Sequence, residues 1–260
     1  MRREKNIRSL FVFSILFVSI FSFSLYSQAT SLNNDLLAWG FKRGKNHEQA
    51  ELDFKSKKII EEYDGIAMGN KDVPNIYLTF DAGYEAGYTD KILDVLEKYN
   101  VNACFFITGH YLNSASDLVK RMIEDGHIIG NHTVNHKCLP NMTDEEINKE
   151  VMILHNSLYE KFNYEMTFFR PPKGEFSQRT TKIVSDLNYK TVMWSFAYDD
   201  WDNSKQGRVE YGKNKILDNL HNGCVLLLHS TSKDNAEILE EVIVESRKMG
   251  YEFKSLNEFN

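Results

Sequence analysis

The sequence predicts an α/β fold of the (β/α)-barrel kind, irregular or incomplete, with about seven strands. Three observations carry this. From Asn75 onward, short runs rich in β-branched and aromatic residues alternate with amphipathic segments of helical length. There are about seven such runs joined by six helical connections, and no Gly-x-Gly-x-x-Gly follows the first, so a doubly wound dinucleotide fold lacks its main positive sign. Four runs also end in short polar motifs: Thr79-Phe80-Asp81-Ala82-Gly83-Tyr84, His132-Thr133-Val134-Asn135-His136, Arg170-Pro171-Pro172-Lys173-Gly174 and Leu227-Leu228-His229-Ser230. Residues at successive strand ends converge on one face when the strands are parallel neighbours.

In chain order, the first segment begins Met-Arg-Arg-Glu-Lys and continues into an uncharged stretch from Ser9 to Asn34, apolar from about Leu10 to Leu25. A basic start, an apolar centre and Ser27-Gln28-Ala29 predict a secretory signal over 1–29, cleaved after Ala29, and an exported protein. The apolar length falls between that of a signal core and a spanning helix, so an uncleaved anchor is the alternative, and it would be the only membrane contact. Residues 30–73 form a polar and aromatic lead-in with one helix from about Ala50 to Tyr63, and residues 74–260 form the main domain.

Within that domain the predicted strands are Ile76–Phe80, Ala103–Thr108, Ile128–Gly130, Thr167–Arg170, Thr191–Phe196, Cys224–His229 and Tyr251–Ser255. Thr143-Asp144-Glu145-Glu146 is a capping box, followed by Ile147, Val151, Leu154 and Leu158 on one helical face. Asp234-Asn235-Ala236-Glu237 repeats the signal before Ile238, Leu239, Val242 and Ile243.

Composition narrows the function. A net charge of −6 and the lack of a dense Lys/Arg run give no field for phosphate backbones, which excludes nucleic acid as a partner. Three cysteines are too few and too odd for a disulfide framework. Cys104 and Cys224 read as small buried hydrophobes, while Cys138, two residues past His136, could approach a metal.

Asp81 sits where a buried strand opens into a tight turn, so desolvation is expected to raise its pKa toward the range of a general base; taken alone, it would sooner read as the cap of a helix or turn, and its companions change that. His132 and His136 are four apart, which on a helical turn points both rings the same way for metal ligation. His229 ends a wholly apolar run, and Arg170 ends a Phe-Phe strand where it could orient a carboxylate or seal the barrel rim. His47, His110, His127, His155 and His221 have no such pairing and read as surface or core groups.

Together these motifs resemble the polysaccharide deacetylase family, the carbohydrate esterases sharing the NodB-homology domain, from roughly Asn75 to Ser255. Thr-Phe-Asp-Ala-Gly-Tyr-Glu, Phe-Ala-Tyr-Asp-Asp-Trp at 196–201 and Leu-Leu-His-Ser-Thr-Ser-Lys-Asp-Asn-Ala-Glu at 227–237 are most similar to the δ-lactam-biosynthetic N-acetylmuramic acid de-N-acetylases of spore-forming bacteria. The resemblance implies Asp81 as base, His132 and His136 as ligands of a divalent metal ion, zinc by preference, Arg170 as the residue holding Asp81, and His229 as acid. It implies an oxyanion held between the metal and a backbone amide near Lys173. Tyr84, Lys173, Asp200 and Trp201 are the expected substrate contacts, and peptidoglycan with its stem peptides removed is the expected partner in spore cortex synthesis.

Three positions depart from the pattern. Ala82 stands where most relatives carry a ligating Asp, so water, Asp81 or Cys138 would complete the metal shell, and metal should be held weakly. Ala197 stands where an Asp would tune the catalytic histidine, leaving Asp199 or Asp200 to reach it from a shifted position. Lys173 replaces a Tyr, and could pair with the lactyl carboxylate that distinguishes muramic acid from glucosamine. The alternatives are the same chemistry on N-acetylglucosamine in peptidoglycan or chitin-like chains, and a non-catalytic glycan-binding protein in which Tyr84, Tyr198 and Trp201 stack on sugars.

Overall fold

The computed structural model describes residues 32–259, so the signal segment expected at 1–29 lies outside the described residues. The chain first forms the short strands β1 (Leu37–Ala38), β2 (Phe41–Lys42) and β3 (Glu51–Leu52) and helix α1 (Phe54–Glu62). It continues through β4 (Asn75–Ala82), α2 (Thr89–Tyr99), β5 (Cys104–Ile107), α3 (Gly109–Ser114), α4 (Ser116–Glu124), β6 (Ile128–Asn131) and α5 (Asp144–Phe162). Then come β7 (Phe168–Phe169), β8 (Glu175–Phe176), α6 (Gln178–Asp186), β9 (Lys190–Thr191), α7 (Val209–Leu217), β10 (Cys224–His229), α8 (Lys233–Lys248) and β11 (Glu252–Phe253).

Seven strands make one all-parallel sheet in the order β10-β4-β5-β6-β7-β9, with β11 also on β4. The sheet curls until the chain beyond β9 meets β10 through a bridge between Phe196 and Leu226, so the barrel is closed irregularly, as predicted. Thr191–Phe196 was expected as one strand and is not. After Thr191 the backbone changes partners, Val192 bridging to Ile66 and Phe196 to Leu226, so no continuous ladder forms. β7 is cut short after Phe169 because Pro171 and Pro172 carry no N–H to donate.

Alternation along the strands sorts the side chains into two cores. Ile76, Leu78, Phe80, Phe105, Ile107, Ile129, Leu226 and Leu228 face outward, where Ile92, Leu96, Val151, Leu154, Leu239 and Val242 of the helices cover them. Tyr77, Cys104, Phe106, Ile128, Phe168 and Val225 fill the barrel interior. The interior parity continued to the strand ends reaches Asp81 from Tyr77, His132 from Ile128, Arg170 from Phe168 and His229 from Val225. The same period that packs the barrel therefore delivers the four polar groups to one mouth.

The lead-in packs on the barrel, and Leu32–Asn260 forms one compact unit. β1 pairs antiparallel with β8, Trp39 N–H donates to Gly174 O at 2.9 Å, and Trp39, Ile59, Ile60 and Ala67 make a third core with Phe176 and Met193. The predicted helix at 50–63 is shorter, starting after Asp53, whose side chain accepts from Ser56 N. The box at Thr143 caps α5 as expected. α8 differs: Ser232 caps it, while the Asp234 carboxylate accepts from Gly207 N and Arg208 N of the preceding loop, both at 2.8 Å.

Candidate active site

His132 and His136 meet, but on an irregular loop after β6 and not on the helical turn their spacing suggested. Thr133 and His136 have φ of 67° and 56°, left-handed values that cost L residues roughly 1–2 kcal/mol each. Asn131 Oδ1 accepts from Thr133 N and Thr133 Oγ1 accepts from His136 N, both at 2.9 Å, and the turn brings the two rings to a centroid distance of 4.8 Å. His132 is buried, with its Nδ1 2.8 Å from Arg170 O. A carbonyl only accepts, so Nδ1 carries the proton and the Nε2 lone pair points to Asp81 Oδ2, 3.5 Å away. Burial pushes the His132 pKa down to about 4, and burial with the nearby Lys173 charge lowers that of His136, so both rings are neutral near pH 7.

Asp81 ends β4 and is held by Arg170, whose Nη1 donates to Oδ1 at 2.9 Å. Arg170 is fully buried; its Nε and Nη2 donate to Val192 O and Met193 O, and its guanidinium lies 4.2 Å from the centroid of Phe106. Phe106 in turn has its place because of Gly130, where a Cβ would stand 2.4 Å from the ring. Burial pushes the Asp81 carboxyl up, but neighbouring positive charge outweighs it and the carboxyl titrates below its usual range. With His132 neutral, the charges responsible are the Arg170 guanidinium, through contact and hydrogen bond, and the His229 cation across the cavity. The elevated pKa expected from desolvation is thus not found: an ion pair at contact distance overrides it.

His229, at the end of β10, faces the same space from the other side. Its Nδ1 is 2.9 Å from Asp200 Oδ1, and its backbone N–H donates to Asp200 Oδ2 at 2.7 Å. Burial would lower the His229 pKa, yet Asp200 raises it on balance. Asn235 Nδ2 donates to Asp200 Oδ2, and Tyr198 donates to Asn235 Oδ1. Asp200 was expected to touch substrate; it is instead fully buried behind His229 with both oxygens engaged. Asp199 points away to Lys205 and Arg208. Asp200 therefore stands in for the carboxylate that Ala197, on the cavity wall, cannot supply.

These groups open into a cavity of about 1110 Å³ lined also by Tyr84, Lys173, Trp194 and Trp201. Tyr84 and Trp201 are 41% and 60% exposed, so their aromatic faces are open to the cavity. Ala82 does not reach the cavity; it is fully buried in the outer core. Cys138 lies against Glu175, with its thiol pKa raised by burial, and does not line the cavity. The sequence reading missed Asn235 and Glu150, which act from helices, and Gly130. The Leu-Leu-His motif running on to Asn235 was the only sign of the first.

A divalent ion suits the donors present: two neutral imidazoles, one with its proton fixed by a backbone carbonyl, and a carboxylate oxygen beside them. Among the described residues no three His, Cys, Asp or Glu side chains are arranged to hold such an ion between them, so His132 and His136 are the candidate protein donors.

The polysaccharide deacetylase family model matches residues 68–192. Peptidoglycan-N-acetylmuramic acid deacetylase PdaA of Bacillus subtilis is 40% identical over 233 residues, 89% of this chain and 89% of its own. Its solved structure, a family 4 carbohydrate esterase, superposes with a TM-score of 0.85 over 88% of this chain and 98% of that one, at 40% identity. A family 4 carbohydrate esterase from Bacillus anthracis gives a TM-score of 0.74 at 37% identity over the same shares, 88% and 98%. A peptidoglycan-N-acetylglucosamine deacetylase of Bacillus cereus is 34% identical over 194 residues, 72% of this chain and 90% of its own. With such identity across nearly the whole of its length, and with the curled parallel sheet to match, the chain belongs to the polysaccharide deacetylase family, the family 4 carbohydrate esterases.

Proposed function

We propose that this chain hydrolyses the acetamide of N-acetylmuramic acid residues in peptidoglycan with the help of a divalent metal ion, zinc by preference. The freed amine is then placed for δ-lactam closure onto the lactyl carboxylate in spore cortex. The observation that carries the chemistry is the convergence of an ionised, Arg-held Asp81, a neutral imidazole pair and an Asp-backed His229 on one cavity.

A metal held by His132 and His136 would polarise the acetamide carbonyl and lower the pKa of water. Asp81 accepts the proton of the attacking water, and Arg170 fixes the carboxylate while it does so. His229, protonated because Asp200 stands behind it, gives its proton to the amine nitrogen as the C–N bond breaks; acetate and a free amino sugar leave. Tyr84 and Trp201 offer faces to the sugars on either side.

The choice of sugar rests on Lys173, an exposed ammonium at the cavity wall. It can meet the lactyl carboxylate of muramic acid once the stem peptide is gone. The relative named for glucosamine supports a second reading, with the same chemistry on N-acetylglucosamine. Acetate release from amidase-treated peptidoglycan, set against chitooligosaccharides, separates the two. Lys173→Met should cost activity on the stripped muramoyl glycan alone; unchanged turnover would make Lys173 a solvated surface charge. The charge and hydropathy of residues 1–29 support export, and among the described residues no helix is long and apolar enough to cross a membrane.

A further inference from the structure

The loop from His132 to His136 holds an unfavourable backbone, with left-handed φ at a β-branched residue and at a histidine, and such conformations persist only where the surroundings over-determine them. Part of that restraint is local, from Asn131 and Thr133. Gly109 N–H adds to it by donating to Thr133 O and Val134 O, both at 3.2 Å, and a further part comes from one residue outside every motif. Glu150, on α5, is 4% exposed, and its carboxylate faces the loop. Oε2 accepts from Asn135 N at 2.8 Å and Oε1 accepts from Asn135 Nδ2 at 2.7 Å. The Glu150 carbonyl accepts from Val134 N at 3.0 Å, and Lys137 Nζ is 3.8 Å from Oε1. Val134, Asn135 and Lys137, which flank His136 on both sides, are thus tied to one residue of the helix, which is itself fixed by Val151 and Leu154 in the outer core.

We propose that Glu150 is a positioning residue for the imidazole pair: its carboxylate clamps Asn135 and so keeps His136 turned toward His132, ready for a shared ion. The inference rests on the reading of His132 and His136 as metal donors. Glu150 touches neither substrate nor metal. It acts in the way a carboxylate behind a ligand does, except that it orients the backbone carrying the ligand and not the ring itself.

The test uses Glu150→Met, which keeps the side-chain volume and removes both acceptors, and Glu150→Gln, which can keep both hydrogen bonds if the Asn135 amide turns end for end. In the protein as it stands, hydrogen exchange reads the Asn135 amide and calorimetric titration with Zn²⁺ reads the ion. Glu150→Met should speed exchange at Asn135 at least about tenfold while the β4 amides stay protected, and should weaken Zn²⁺ about 10- to 100-fold. Glu150→Gln should restore both to within about threefold, since the role is hydrogen bonding and not charge. Unchanged exchange and affinity in Glu150→Met overturn the proposal, as does a Glu150→Gln no better than Met, or loss of protection in β4, which would make Glu150 a residue of the fold at large. His136→Ala is the separate control. If Zn²⁺ binding survives it, the metal reading fails, and exchange at Asn135 still decides what Glu150 does.

Discussion

The two walls of the cavity use the same side chain to opposite ends. On the wall formed after β6, His132 is buried against a backbone carbonyl and beside a guanidinium-bound carboxylate, and it stays neutral. On the wall formed by β10, His229 has Asp200 behind it and is driven toward the cation. A neutral imidazole is a donor for a metal, and a charged one is a proton source. What lies behind each ring, and not the ring, decides the role.

The contrast can be broken from several sides. Removing the carboxylate that both walls share, the proposed base, should do most: Asp81→Asn is expected to cut deacetylation by about 10³-fold, measured as acetate release, with the fold retained. Asp200→Asn should make His229 resemble an ordinary buried histidine. Its raised pKa holds the acid form to higher pH, and activity falls as pH rises through it, so the variant should lose about 10²-fold and its alkaline limb should move to lower pH. Arg170→Met frees the Asp81 carboxyl to rise under burial. Because the lowered pKa keeps the base ionised down to acid pH, losing Arg170 should shift the acidic limb upward and cost about tenfold at neutral pH.

The smallest effect sharpens the neutral side alone. His132 and His127 are both pushed to about 4 by burial. Unfolding lets them take up protons between their ordinary values and 4, so stability is full above about pH 6.5 and falls as pH drops toward 4, by up to a few kcal/mol. Urea melts across that window should show the slope, and His127→Gln should lessen it without touching the pH profile of catalysis.

The barrel was legible because period-two alternation and turn residues are local properties, and the same alternation brought Asp81, His132, Arg170 and His229 to one mouth. What could not be read depends on contacts distant in sequence. Nothing around Thr133 announces a left-handed φ, since part of what holds the loop comes from Gly109 and Glu150, far away in sequence and the latter on a helix that reads simply as amphipathic. Asp200 reads in sequence both as a substrate contact beside Trp201 and, with Asp199, as a partner for His229; only the bridge of Phe196 to Leu226 shows that the following loop turns back behind β10 and brings Asp200 to the second role. Likewise Asp234 has the look of a helix cap, and the loop at Gly207 claims it instead.

Gly130 shows how far the catalytic machinery extends. A single methyl group there would press on Phe106, whose face carries Arg170, which in turn holds Asp81. In a scan of every substitution, this glycine should behave as a cold spot as intolerant as the base itself, although it bears no chemistry. Variant lists built from motif residues alone would pass over it, and an inherited change at Gly130 is expected to lower activity while every recognisable motif remains intact.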